Sequence, residues 1–282
     1  MQRLTFVNKM RLQDAIERYL PHTEEDATEG FVTETLSNVV STLKKPLDVF
    51  SRGMRTMFNA RPGNISSNAI TKCVRKEKPF DWSVLSKLGI PEHPHQSEDG
   101  DAVAQTLNLL SASAVDIVTK FIPSVQTFYR ELSRNPSLLA SRVTPTFPDG
   151  ASFGFKLNEL TERYYDCFGA SANRSGRTTV GDSYERLGDV YKSIEDTNSA
   201  VTNIFDRTNP KTVEKQLKEL NRLLFGFIRV AKEHTTPDMR KLISDHVGYV
   251  ASCIEFYGLI ASTVVAQQAI MEKTVETIEE HL

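Results

Sequence analysis

The stretch NPKTVEKQLKELNRLLFGFIRVAKEHTTPDMRKL, residues 209–242, decides the fold class. Asn209-Pro210 and Thr236-Pro237 each place a capping residue ahead of a proline at a first helical position, where the missing N–H costs nothing and the fixed φ suits a helix. Those signals start helices over about 210–233 and 237–280. Upstream, Tyr184, Leu187, Tyr191, Ile194, Val201 and Phe205 mark another helix. Val103, Leu107, Leu110, Ala114, Val118 and Phe121 mark one over 101–122, which Pro123 kinks or restarts toward Arg134. A further helix is expected over 155–168. Val32, Leu36, Val39, Leu43, Leu47, Phe50, Met54 and Met57 recur at helical intervals, with a break near Lys45 where Pro46 intervenes. No alternating β-branched run and no internal repeat occurs. The expected fold is all-α, a multi-helix bundle with long C-terminal helices and irregular connecting loops.

Residues 59–100 and 135–154 read as irregular and turn-rich, with Trp82 as a local packing anchor, and 169–182 reads as a mobile loop. The organisation expected is an acidic N-terminal segment 1–29, a basic amphipathic helix plus irregular segment 30–100, and a helical-bundle body 101–282.

Composition excludes several classes. The 282 residues carry 34 Lys and Arg against 36 Asp and Glu, a net charge of −2, so the chain as a whole is not a strongly basic nucleic-acid binder. Cys73, Cys167 and Cys253 form neither a C-x-x-C pair nor an even framework, which suits buried thiols in a reducing compartment. The first 20 residues lack the unbroken apolar run of a secretory signal. VGYVASCIEFYGLIASTVVA, residues 247–266, is long enough to cross a bilayer. Glu255 at its middle would cost about 2.5–3.5 kcal/mol there, so a buried core helix is expected.

Candidate chemistry is sparse. Gly150-Ala151-Ser152-Phe153-Gly154 matches the G-x-S-x-G nucleophile elbow, but that device needs a strand entering the turn, and VTPTFPD supplies two prolines instead. It reads as a flexible turn. His93 and His95, with Glu92, Glu98, Asp99 and Asp101, read as a solvated loop rather than a metal site. His246 reads as a satisfied core histidine. The expectation is a protein without catalytic residues, metal or cofactor.

Charge is distributed more pointedly. Residues 43–78 hold Lys44, Lys45, Arg52, Arg55, Arg61, Lys72, Arg75, Lys76 and Lys78 against Asp48 and Glu77, so 9 − 2 = +7. Residues 1–29 hold four bases and six acids, net −2. The nine cations are candidate phosphate contacts, or a solvated helix face.

Between these regions lies the polar loop LPHTEEDATE, residues 20–29, ending in Ala27-Thr28-Glu29 and followed by Gly30. This small-x-Glu triplet resembles the site cut by the head-maturation protease of phiKZ-like giant bacteriophages. The plan of short propeptide, small-x-Glu site and long helical body is similar to that of the internal head proteins of those phages. The resemblance implies cleavage after Glu29, co-assembly with other phage head proteins, packaging in the virion head interior with DNA, and delivery to the host cytoplasm, where a partner is unknown. The same pattern occurs at Ala15-Ile16-Glu17, Ser183-Tyr184-Glu185, Ser193-Ile194-Glu195 and Ala231-Lys232-Glu233, all expected inside helices. Two other classes fit the sequence: a helical interaction module, and a membrane-active ejection protein using 31–58 or 247–266.

Overall fold

The computed structural model describes residues 65–66, 68–75, 80–87, 100–140, 144–168, 184 and 186–281. In chain order the α-helices are α1 (Asn68–Arg75), α2 (Gly100–Asp116), α3 (Ile122–Arg134), α4 (Ser137–Ala140), α5 (Leu157–Phe168), α6 (Leu187–Val201), α7 (Pro210–His234) and α8 (Pro237–His281). Short 3₁₀ turns occupy Trp82–Lys87 and Ala151–Phe153, and π-helical turns occupy Ile117–Phe121 and Thr202–Arg207. No strand occurs among the described residues, and the fold is an all-α multi-helix assembly whose last helix runs 45 residues.

The two proline starts fall where the sequence places them. Thr236 caps α8 through its side chain, Oγ1 accepting from Met239 N at 3.2 Å. Asn209 differs: its side chain makes no cap bond, and its φ is 30°. Its carbonyl instead accepts from the N–H groups of Thr212 and Val213, at 2.9 and 3.1 Å. Positive φ is more accessible to asparagine than to most residues, which makes it a suitable residue for this entry.

Pro123 falls in the first two positions of α3, a restart without a break in the helical path, since Phe121 and Ile122 keep helical angles. The turn ahead of it widens to π spacing, with Ile122 N–H bonding to Ile117 O, and α3 continues directly. A proline ring collides with the preceding turn of an α-helix and leaves a carbonyl without its donor; a wide turn relieves both.

Residues 59–100 contain more order than the sequence suggested. The described start of the basic stretch, with Lys72 and Arg75, lies in α1, and a 3₁₀ turn occupies Trp82–Lys87. Their apolar positions are few and short-range, so periodicity alone could not distinguish them from loop. The expected turn-rich segment 135–154 likewise contains the short α4 and a 3₁₀ turn. The helix ending near 58, the 169–182 loop and the side chain of Trp82 lie outside the described residues.

The chain divides into two compact units. The described part of the first lies within Asp116–Phe155 and Thr208–Gly258. Here α7 buries Val213, Leu217, Leu220, Leu224, Phe227 and Ala231 along one stripe, and α3 packs on it through Tyr129, whose ring lies 5.0 Å from that of Phe227. Gln126 Nε2 donates to the Gln216 carbonyl at 2.6 Å across the same pair. From α8, Ile243, Val247, Val250, Ile254 and Tyr257 are buried.

The described part of the second unit lies within Asn59–Val115, Lys156–Arg207 and Leu259–Leu282. Its core gathers Ile65, Ile70 and Leu85 with Leu187, Val190 and Ile194 of α6 and Met271, Val275 and Ile278 of α8. Buried and half-buried polar groups set its registers. Asn203, in the π turn after α6, donates to Ser111 Oγ at 2.9 Å, and Asn108 Nδ2 donates to Asp196 at 3.0 Å. Asn198 holds Ile65 by both backbone groups, accepting from its N–H at 2.9 Å and donating to its carbonyl at 3.0 Å.

Helix α8 is long and apolar enough to cross a membrane by length and composition. In the structure Val247, Val250, Cys253, Ile254, Phe256, Tyr257, Ile260, Ala261 and Val264 are buried, and Gln267 and Gln268 are buried after them.

Replacing Asn198 by Ala leaves a buried peptide group of Ile65 without its partners. The expected cost is about 1–3 kcal/mol, read as a lower urea midpoint at unchanged m-value.

Candidate functional site

The richest side-chain chemistry lies in the first unit, around His246 of α8. Its Nε2 is 2.7 Å from the carbonyl oxygen of Pro148, and its Nδ1 is 2.8 Å from the hydroxyl of Tyr129. A carbonyl only accepts, so Nε2 carries the proton and Nδ1 accepts from the tyrosine O–H. The relay therefore runs Tyr129 O–H to His246 Nδ1, and His246 Nε2–H to Pro148 O. The rings of Phe128 and Phe147 surround the imidazole, at 6.0 and 5.0 Å between centroids.

Burial dominates the ionisation of both partners. It pushes His246 down to about 4, against smaller upward pulls from the Pro148 bond and the Asp149 carboxylate. It pushes the Tyr129 phenol well above its ordinary range. Neither group changes charge near neutrality, and the imidazole stays neutral.

A second aromatic group lies beside the Gly150 turn. Phe121, the last residue of the first π turn, meets Phe153, Phe155 and Tyr249 edge-on at 5.8, 5.7 and 5.8 Å. Gly150 N–H donates to the Tyr249 hydroxyl at 3.0 Å. A Cβ at Gly150 would collide with Phe155 and with that hydroxyl, so glycine is required by close approach rather than by backbone angle. Gly154 closes the turn in the left-handed region, at φ 82°.

The Gly150–Gly154 stretch is thus a 3₁₀ turn pinned to α8, in place of the flexible turn expected. It lacks the strand-to-helix geometry of a nucleophile elbow. Ser152 is exposed, and its hydroxyl and N–H both donate to Asp149 Oδ1 at 2.9 Å. Those two bonds hold the Asp149 carboxyl below its ordinary range. His246 spends both nitrogens on Tyr129 and Pro148, so it is not set as a base for Ser152. The core role read for His246 from its apolar surroundings matches this geometry.

Two cysteines can be placed. Cys253 is fully buried, with its thiol pushed up by burial. Cys167 is half-buried and raised to about 11, chiefly by burial. Neither has the lowered value that makes a thiolate at neutral pH. No group of three or more metal-ligating side chains occurs among the described residues.

The predicted cleavage residues Ala27, Thr28, Glu29 and Gly30 lie outside the described residues, as do Lys44, Lys45, Arg52, Arg55, Arg61, Lys76 and Lys78 and the His93–His95 loop. Lys72 is exposed on α1, and Arg75 ends that helix. Sequence reasoning did not find the Tyr129–His246–Pro148 relay. Its members are 117 and 98 residues apart in sequence, and no local spacing announces it. No family model, curated protein or solved structure matches the chain.

The lowered value of His246 fixes an acid limb for stability. The unfolded imidazole takes up a proton near pH 6.5, the folded one near pH 4, so stability is complete above 6.5 and falls between those values. The loss amounts to about 3 kcal/mol across that window. Thermal melts from pH 7 to pH 4.5 should show it, and His246→Gln, which can accept from Tyr129 and donate to Pro148, should flatten it.

Gly150→Ala should destabilise by about 1–3 kcal/mol through overpacking against Phe155 and Tyr249. A denaturant titration unchanged from the parent would show that the turn yields freely.

Proposed function

We propose that the chain is a bacteriophage internal head protein, a structural component cleaved after Glu29 by the head-maturation protease and packaged with the genome. The observation that carries this reading is the small-x-Glu triplet Ala27-Thr28-Glu29, which ends a loop-like sequence of four acids and no Lys or Arg and precedes a segment of net charge +7. Removing 1–29 subtracts a net −2 and frees an amine at Gly30, ahead of those cations in the chain. The product is better suited to packed phosphates than the precursor.

The placement of competing triplets supports the choice of site. A protease takes its substrate as extended chain, so exposed, unstructured positions are nicked first. Ser193-Ile194-Glu195 is held in α6 with Ser193 and Ile194 buried, and Ala231-Lys232-Glu233 is held in α7 with Ala231 buried. Of Ser183-Tyr184-Glu185 only Tyr184 is described, and it precedes α6 instead of lying in a helix, contrary to expectation. Tyr184 is nonetheless buried, with its hydroxyl 3.5 Å from Met271 Sδ. Among the five triplets, these three are poor substrates while the fold persists. Of the two that remain, only Ala27–Glu29 lies in a segment whose sequence is loop-like.

The reading assigns the helical body no catalytic step. Its buried polar residues serve registers and turns, and its chemistry lies in assembly, trimming and contact with packed DNA.

Intact-mass measurement and N-terminal sequencing of protein recovered from its natural particle test the proposal. The expected chain begins at Gly30. A chain beginning at Met1 would remove the maturation reading and leave a helical interaction module as the better account. Glu29→Gln should leave the precursor uncut when it is incubated with the maturation protease.

A further inference from the structure

Helix α7 carries two straight stripes on opposite sides. The inner one is the buried series from Val213 to Ala231. The outer one is Lys211, Lys215, Lys218, Arg222, Phe225 and Arg229, every residue exposed. Its intervals of four, three, four, three and four residues average the 3.6 of an α-helix, so the line runs parallel to the axis rather than winding around it. Five of the six positions are cationic and none is acidic.

The acids of this face stand beside the line and neutralise only part of it. Glu214 pairs with Lys218 at 2.8 Å, and Glu219 pairs with Arg222 at 3.0 Å. Arg130, from the packed helix α3, adds a cation 3.9 Å from Glu219. Counting Lys211, Lys215, Lys218, Arg222, Arg229 and Arg130 against Glu214 and Glu219 gives 6 − 2 = +4 on a chain whose net charge is −2.

We propose that this outer face of α7 binds the phosphate backbone of duplex DNA, without base readout. The line from Lys211 to Arg229 is about 27 Å long at 1.5 Å per residue, close to eight base-pair rises of about 3.4 Å. From Lys211 to Arg222 cations recur about every 5.4 Å, one per helical turn, and Arg229 follows two turns on, a spacing that matches an extended, repeating polyanion better than a compact anionic group. Phe225, 49% exposed, sits between Arg222 and Arg229 where a sugar face can lie between phosphates. A lipid surface fits less well: membrane-surface helices insert an apolar face, and the apolar face of α7 is packed inside its own unit. None of these residues belongs to 43–78, and the inference stands whichever residue begins the mature chain.

The test uses the full chain and a duplex of about 25 base pairs, with binding followed by anisotropy between about 50 and 200 mM salt. The variant Lys211→Gln, Lys215→Gln, Arg229→Gln removes three exposed cations of the line. It should weaken binding at least about tenfold at the lowest salt and reduce the slope of log K against log salt by about 2.7. The control variant Lys156→Gln, Lys241→Gln, Lys273→Gln removes the same charge elsewhere and should keep the parent slope. Far-UV circular dichroism checks that each variant folds; if the triple variant does not, Lys215→Gln alone should reduce the slope by about 0.9. The proposal is overturned if the full chain does not bind duplex, if the control loses as much slope as the face variant, or if the face variant loses binding only to vesicles containing phosphatidylserine.

Discussion

A tyrosine hydroxyl 2.8 Å from an imidazole nitrogen, inside an otherwise aromatic interior, places a strict demand on everything around it. Both groups are cut off from water, and each is tolerable there only while every polar atom has a partner. That requirement brings the Pro148 carbonyl to the far side of His246, and with it the whole turn through Gly154. It also ties α3 to α8, because Tyr129 and His246 cannot separate without stranding two polar atoms. The aromatic rings of Phe128 and Phe147 then fill the space that the relay defines.

The second unit follows the same logic with amides. Asn108, Asn198 and Asn203 occupy positions where an apolar residue would bury as much area but would specify less. A helix sliding past its neighbour by one turn keeps its hydrophobic contacts roughly intact, whereas a buried or half-buried amide must lose its partner. Two π turns contribute to this precision. The one at Thr202–Arg207 carries Asn203 to Ser111, and the one at Ile117–Phe121 delivers Phe121 to three aromatic neighbours while accommodating Pro123.

Helices were legible where residues repeat at short range. The starts at Pro210 and Pro237 follow from dipeptides, and the long apolar pattern of α8 follows from composition. The π turns were not legible, since one wide turn shifts the pattern by less than the natural variation in spacing. Helix α1 was masked by its charge, and α4 and the 3₁₀ turns by their length. Of the chemistry, His246 was legible as a core residue from its apolar neighbours. Its partners were not, because nothing local connects positions 129, 148 and 246. The outer stripe of α7 is written in the sequence at regular intervals, but its exposure is decided by packing, and charge totals over longer windows dilute it.

The division of the chain into interleaved units has a consequence for how the protein is made. Helix α8 supplies its first part to one core and its last part to the other, and both cores draw on segments far apart in sequence. Neither unit can close while α8 is still inside the ribosome. Domains usually form in order as the chain emerges. Here the earlier helices must wait, with apolar positions such as Leu187, Val190 and Ile194 of α6 lacking Met271, Val275 and Ile278 until residues 237–281 arrive. High contact order of this kind slows folding, and a chaperone that shields those positions during synthesis would act at the step where the protein is most exposed to aggregation.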